Sequence, residues 1–199
     1  MSHPTIFFDR DNTLNYDPGY LSDPNLVKLF DGVGEGIARL KRDFNFKIVV
    51  ISNQSGIARG FFSEKEVIAV NNKINSILKS DFDTEIDAFY FCPFHPEFST
   101  EEESKCRKPS SMLVVKATEE LDIDLSKSYF VGDRESDIEC GINAGIKTLL
   151  VNYNNDEKII ISLKNKNKRP NFIVGNFLNV CNSIIADFTG GNSFVEQNN

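Results

Sequence analysis

Six short apolar runs punctuate this chain, and three of them break off in dense polar clusters. Thr5–Phe8 stops at Asp9-Arg10-Asp11-Asn12-Thr13. The β-branched run Lys47–Ile51 stops at Ser52-Asn53-Gln54-Ser55-Gly56, and Ser128–Val131 stops at Gly132-Asp133-Arg134. Ala88–Phe91, Lys147–Val151 and Phe172–Val174 complete the set. Near-continuous apolar runs of this length suit strands covered on both faces. Between them lie segments with helical spacing: Val33–Arg42, Ser63–Leu78, Met112–Leu121, Ser136–Ala144, Glu157–Leu163 and Phe177–Phe188. Ser63 and Glu66 have the spacing of a capping box. Strands alternating with helices imply βαβ units joined by right-handed crossovers. The expected fold is therefore α/β, a doubly wound, Rossmann-like parallel sheet with helices on both faces.

Composition narrows the class. The chain has 199 residues, 40% of them apolar and 26% charged, which suits one globular domain without a staple. Residues 1–188 are read as that domain and 189–199, polar and rich in Gly and Asn, as a loose tail. A net charge of -7 argues against nucleic-acid backbone binding, while a local pocket can still attract a small anion. No apolar run reaches the roughly 18 residues of a membrane span, and no signal peptide is expected. The four cysteines, Cys92, Cys106, Cys140 and Cys181, are sparse and read as reduced thiols of a cytoplasmic protein. A monomer is expected.

In an open parallel sheet, ligands bind beyond the carboxyl ends of the strands, so the polar clusters should converge. Asp9 and Asp11, at i and i+2, point to one side of an extended chain. Two acids so close call for a cation between them or a proton on one. Alone, the pair reads equally well as a solvated strand end. Ser52-Asn53 can hold a phosphate oxygen, though such a pair is more often a turn. Arg107-Lys108-Pro109 offers a fork and a point charge, though alone it reads as a solvated surface pair. Asp133 could ligate a metal, with Asp137 supporting it or holding Lys108; Ser136 and Asp137 equally suit a helix N-terminus. The stretch from Cys92 to Lys108 is long, acidic and aperiodic, as functional or unstructured loops are.

The order of these clusters resembles the haloacid dehalogenase superfamily: Asp-x-Asp-x-Thr, then Ser, then Lys, then Gly-Asp-x-x-x-Asp. Phe8–Leu14, Asn53-Gln54-Ser55-Gly56-Ile57-Ala58-Arg59-Gly60, Cys92-Pro93-Phe94-His95-Pro96 and Cys106-Arg107-Lys108-Pro109 resemble one subfamily. It is that of D-glycero-D-manno-heptose 1,7-bisphosphate and histidinol-phosphate phosphatases. The resemblance implies a Mg²⁺-dependent phosphomonoester hydrolase without a large cap domain, acting on a small sugar phosphate and removing the 7-phosphate of the heptose bisphosphate. It makes Asp9 the nucleophile and Asp11 the general acid and base, in a setting that should raise its pKa. It gives the phosphoryl oxygens to Ser52 and Lys108, and the rest of the substrate to Asn53, Arg107 and Arg134. Mg²⁺ would sit on Asp9, the Asp11 backbone carbonyl and Asp133. Three loops, Leu14–Phe30, Gly56–Phe62 and Cys92–Cys106, would shape the pocket.

Two departures stand out. Relatives bind zinc in the third loop through Cys-x-His and Cys-x-Cys pairs. Here Phe94 and Ser104 break both pairs and leave Cys92, His95 and Cys106, so no structural zinc is expected. The loop would instead pack on Phe91, Phe94 and Phe98, with the cysteines as small hydrophobes. Asn12 replaces a common Gly, and Asn tolerates the unusual backbone angles of such a turn. Histidinol phosphate is the alternative substrate; a nucleic-acid 3′-phosphatase or an inactive binding protein are more distant ones.

Overall fold

A computed structural model describes residues 2–191 of the chain. The apolar runs form strands β1 (Thr5–Phe8), β2 (Lys47–Asn53), β3 (Ala88–Cys92), β4 (Tyr129–Gly132), β5 (Lys147–Val151) and β6 (Phe172–Val174). They pair in one parallel sheet in the order β3-β2-β1-β4-β5-β6. Helices α1 (Val33–Phe44), α2 (Glu64–Phe82), α3 (Glu101–Ser104), α4 (Met112–Leu121), α5 (Glu135–Asn143) and α6 (Glu157–Asn165) make the connections, and α7 (Phe177–Phe188) follows β6.

Successive strand side chains enter opposite cores, because the pleat has a period of two. Ile6 and Phe8 join Ile48, Val50 and Val131 on the face covered by α1, α2 and α7. Phe7, Val49, Ile51 and Phe130 join Leu113, Val114 and Ala117 of α4 on the other. A smaller cluster seats Leu163 of α6 on Ile138 and Leu150. Helices thus cover both faces, as the apolar runs require. At the start of α2, the Glu66 carboxylate accepts the Ser63 N–H at 2.7 Å, so the expected capping box is present.

Two local readings change. Strand β2 runs on through Ser52 and Asn53, because their backbones still pair with Phe91 and Cys92 of β3. The acidic loop after β3 contains α3, where Thr100 and Glu103 cap each other reciprocally. Of the expected tail, residues 192–199 lie outside the described residues.

Candidate active site

The strand order reverses at β1, whose neighbours are β2 and β4. That switch point opens a crevice at the carboxyl ends, and the polar clusters follow those ends. A cavity of about 290 Å³ lies there, lined among others by Asp9, Asp11, Asn53, Arg107, Lys108 and Arg134.

Lys108 is the hub. Its Nζ donates to Asp9 Oδ1 at 2.6 Å and to the Ile51 carbonyl at 2.7 Å, and it pairs with Asp137 Oδ1 at 2.7 Å. Burial alone would push the ammonium toward neutrality; Asp137 and Asp9 outweigh it and hold it firmly charged. Asn53 fixes the backbone that carries it, accepting the Lys108 N–H at 2.9 Å and donating to its carbonyl at 3.2 Å. Gly132 makes room for Asp137, since a Cβ there would lie 2.3 Å from the Asp137 Cβ.

Asp9, Asp133 and Asp137 can bring one carboxylate oxygen each to within 4.8 Å of one another. Burial, opposed by Lys108 and reinforced by the neighbouring acids, pushes Asp9 up to about 8. Burial and Asp137 push Asp133 up to about 6. Three carboxylates against one buried ammonium leave a formal excess of two negative charges. A divalent cation with oxygen preference answers both that charge and that donor set.

Asp11 departs from expectation. Its carboxylate lies outside this acidic group and turns onto Arg10, which donates from Nε at 3.0 Å and Nη2 at 2.9 Å. Gln54 and Asn15 donate to it at 2.8 and 3.1 Å. Burial would raise its pKa; the Arg10 charge and these hydrogen bonds prevail and hold it below the usual carboxylate value, not above. Arg10 itself is buried and braced by Asn71 of α2 at 2.9 Å. The sequence alone singles out neither Arg10 nor Gln54. Their signal was only position: an arginine between two aspartates and a glutamine at the mouth of β2.

Ser52 is also placed differently. It is buried, its Oγ accepts from Gln54 Nε2 at 2.5 Å, and it does not line the cavity. Arg107 and Arg134 do line it. Burial and the charges of Arg134 and Arg59 hold the Arg107 guanidinium below its ordinary pKa. Its Nη1 is buried without a hydrogen-bond partner.

The third loop corrects three expectations. Cys92 and Cys106 are joined in a disulfide, with Cα atoms 5.5 Å apart, and are not reduced thiols. The loop folds back so that the end of β3 meets the segment leading to Lys108. Cys140 and Cys181 are free and buried. His95 is engaged elsewhere: Nδ1 accepts the Glu97 N–H at 3.2 Å, and Nε2 lies 3.1 Å from Arg59 Nη2. Phe98 is exposed at 54% and lies against the Arg59 guanidinium, not inside the loop. Among the described residues, none from 93 to 106 lines the cavity, so the first two loops shape it with Arg107 and Lys108. Asn12 does adopt a left-handed backbone, with φ 61°.

A HAD-hydrolase-like family model matches residues 105–180. The D-glycero-beta-D-manno-heptose-1,7-bisphosphate 7-phosphatase of Yersinia pestis is 39% identical over 151 residues, covering 74% of this chain and 79% of its own length. The D-glycero-D-manno-heptose-1,7-bisphosphate 7-phosphatase of Chlorobaculum tepidum is 39% identical over 166 residues, 79% of this chain and 82% of its own. The solved D,D-heptose 1,7-bisphosphate phosphatase of B. bronchiseptica, complexed with magnesium and phosphate, superposes with a TM-score of 0.79 at 26% identity. That match covers 92% of this chain and 99% of the other. Sequence order, sheet topology and these relatives agree: the chain belongs to the HAD-like phosphatase family that contains the D-glycero-D-manno-heptose-1,7-bisphosphate 7-phosphatases.

Proposed function

We propose that this chain hydrolyses the 7-phosphate of D-glycero-D-manno-heptose 1,7-bisphosphate. The observation that carries the proposal is the pairing of a buried Lys108–Asp9 contact with the guanidinium groups of Arg107 and Arg134, which line the same cavity. The first suits a phosphoryl group under attack; the second suits a second anionic group on the same molecule.

In this reading an Asp9 oxygen attacks phosphorus, the bond to the ester oxygen breaks, and an aspartyl-phosphate forms. Asp11 leaves Arg10, takes up a proton from solvent once that charge no longer holds it ionised, and gives that proton to the departing alkoxide. Water then attacks the phosphoryl group, Asp11 takes its proton, and Asp9 is regenerated. Lys108 gives up one of its present acceptors and offsets the charge on the phosphoryl oxygens. Asn53 holds Lys108 in place, and Arg107 and Arg134 hold the second phosphate. Ser52 would meet the phosphoryl group only once Gln54 moves off its hydroxyl. Mg²⁺ would be held by Asp9, Asp133 and the Asp11 carbonyl, with Asp137 kept on Lys108; it would supply charge neutralisation at the phosphoryl group.

Residues 1–188 constitute the catalytic domain in this proposal, and the protein acts as a monomer on a small molecule. Among the described residues no helix is long and apolar enough to cross a membrane. The disulfide removes the thiol argument for a reducing compartment. A cytoplasmic location then rests on the sugar-phosphate reading alone.

The test is phosphate release over a panel: both anomers of heptose 1,7-bisphosphate, histidinol phosphate, other sugar phosphates and a 3′-phosphorylated oligonucleotide, each with Mg²⁺ and with a chelator. The proposal expects Mg²⁺-dependent release, with the highest kcat/KM for a heptose bisphosphate. A clear preference for histidinol phosphate or the oligonucleotide would overturn the substrate assignment.

A further inference from the structure

The segment after β5 takes no part in the reaction described above, yet one of its side chains reaches back to the site. The Tyr153 hydroxyl donates to the Thr13 carbonyl at 3.0 Å. Thr13 is fully buried, and its own hydroxyl donates to Asp133 Oδ1 at 3.2 Å. Two hydrogen bonds in series thus join the end of β5 to a carboxylate of the acidic group. Asp133 has a looser ion partner in Arg134, whose Nε lies 3.9 Å from Oδ2. The Thr13 hydroxyl is therefore well placed to set the direction of that carboxylate.

Tyr153 is itself held from two sides. Its ring stacks on Phe30, with centroids 4.2 Å and planes 10° apart. Its backbone follows Asn152, whose N–H donates to the Val174 carbonyl of β6 at 2.8 Å. The Asn152 side chain accepts the Asp156 N–H at 2.8 Å and donates to the Asp156 carbonyl at 3.2 Å. A buried tyrosine hydroxyl needs a partner, and this one takes it from the turn that follows Asp9 and Asp11. Tyr129 offers the contrast. Its hydroxyl donates to Asp187 at 2.6 Å, at the first residue of β4 and away from the carboxyl ends.

We propose that Tyr153 is a positioning residue for the cation site: its hydroxyl fixes the Thr13 carbonyl, and Thr13 in turn aims the Asp133 carboxylate. The inference rests on the reading of Asp9 and Asp133 as Mg²⁺ ligands given above. Groups that hydrogen-bond a metal ligand orient it, and removing one costs roughly 10- to 100-fold in metal affinity. Tyr153 stands one bond further back. Losing its hydroxyl should cost the equivalent of a single hydrogen bond, about fivefold.

The experiment follows the thermal midpoint over a Mg²⁺ concentration series, which yields an apparent Kd without any substrate. The proteins are the wild type, Tyr153→Phe, Thr13→Val, Thr13→Ser and Tyr129→Phe. Tyr153→Phe keeps the ring on Phe30 and removes only the hydroxyl. The apparent Kd for Mg²⁺ should rise about fivefold in Tyr153→Phe and roughly tenfold or more in Thr13→Val. Thr13→Ser, which keeps the hydroxyl, and Tyr129→Phe, which loses a buried hydroxyl elsewhere, should match wild type. In turnover, Tyr153→Phe should need about fivefold more Mg²⁺ for half-maximal rate, with kcat and substrate KM at saturating Mg²⁺ unchanged. A wild-type Kd in Tyr153→Phe overturns its role, and so does an equal loss in Tyr129→Phe. A wild-type midpoint that does not respond to Mg²⁺ overturns the metal reading and this inference together.

Discussion

Asp9 and Asp11 stand two residues apart and sit in opposite electrostatic settings. Burial and acidic neighbours push Asp9 up to about 8, whereas Arg10 holds Asp11 below the ordinary carboxylate range. The sign for stability follows. An acid raised in the folded state binds more protons folded than unfolded, so its contribution is present at low pH and lost as pH rises through the folded value. Metal-free protein should therefore lose stability from pH 5 to about pH 8, as Asp133 and then Asp9 ionise. Mg²⁺ should raise the thermal midpoint more at pH 8 than at pH 5. Thermal melts in chelator and in Mg²⁺ check this, with Asp9→Asn as the control whose slope is shallower. Parallel slopes for the two proteins would contradict the buried-acid account. The paired aspartates were legible as chemistry because a two-residue spacing after a strand is visible in sequence. The low pKa of Asp11 was not. It depends on Gln54 and on a buried Arg10 braced by Asn71, contacts that only the fold brings together.

At the scale of elements, every apolar run read from the sequence became a strand: β1, β2, β4 and β5 run through the centre of a doubly covered sheet, and β3 and β6 form its edges. Helix ends were less legible. α2 continues past Leu78 to Phe82, ending where Asp83 turns left-handed. Helix packing was not legible at all. Gly36 of α1 is an example: a Cβ there would lie 2.5 Å from Cys181 Sγ and 2.8 Å from the Phe177 ring, both on α7. Ala gains about 1 kcal/mol in helix propensity over Gly. Overpacking a core costs about 1–3 kcal/mol, and these contacts fall well inside van der Waals range. The clash should prevail, so Gly36→Ala is expected to destabilise the protein by about 1–2 kcal/mol in urea unfolding. A stabilised variant would show that α1 and α7 pack less closely. The disulfide belongs to this scale too. It closes a loop of sequence separation 14 between β3 and the Lys108 segment. Reduction should cost about 3 kcal/mol, read as a lower urea midpoint with dithiothreitol. Equal midpoints would mean the loop is held by its other contacts. Sequence could not pair these cysteines, since the same two residues equally suggested a lapsed zinc loop.

Over the whole molecule, a net negative chain gathers three cations, Arg107, Lys108 and Arg134, at a pocket that Asp9 and Asp137 also line. The global charge of -7 and the local group of Lys108, Arg107 and Arg134 coexist because the crevice beyond β1 and β4 gathers residues distant in sequence. That convergence was legible from the order of the clusters. Which loops reach the cavity was not, since the third loop is drawn aside by Arg59 and closed by its disulfide. In the proposed mechanism Asp9 carries the phosphoryl group between two half-reactions. The decisive measurement is rapid acid quench during turnover of heptose 1,7-bisphosphate, followed by peptide mass spectrometry. A phosphoryl group is expected on Asp9 in the wild type. None is expected in Asp9→Asn, whose turnover should fall on the order of 10⁴-fold while its fold is retained. Near-normal turnover by Asp9→Asn, or a phosphoryl group trapped on another residue, would contradict it.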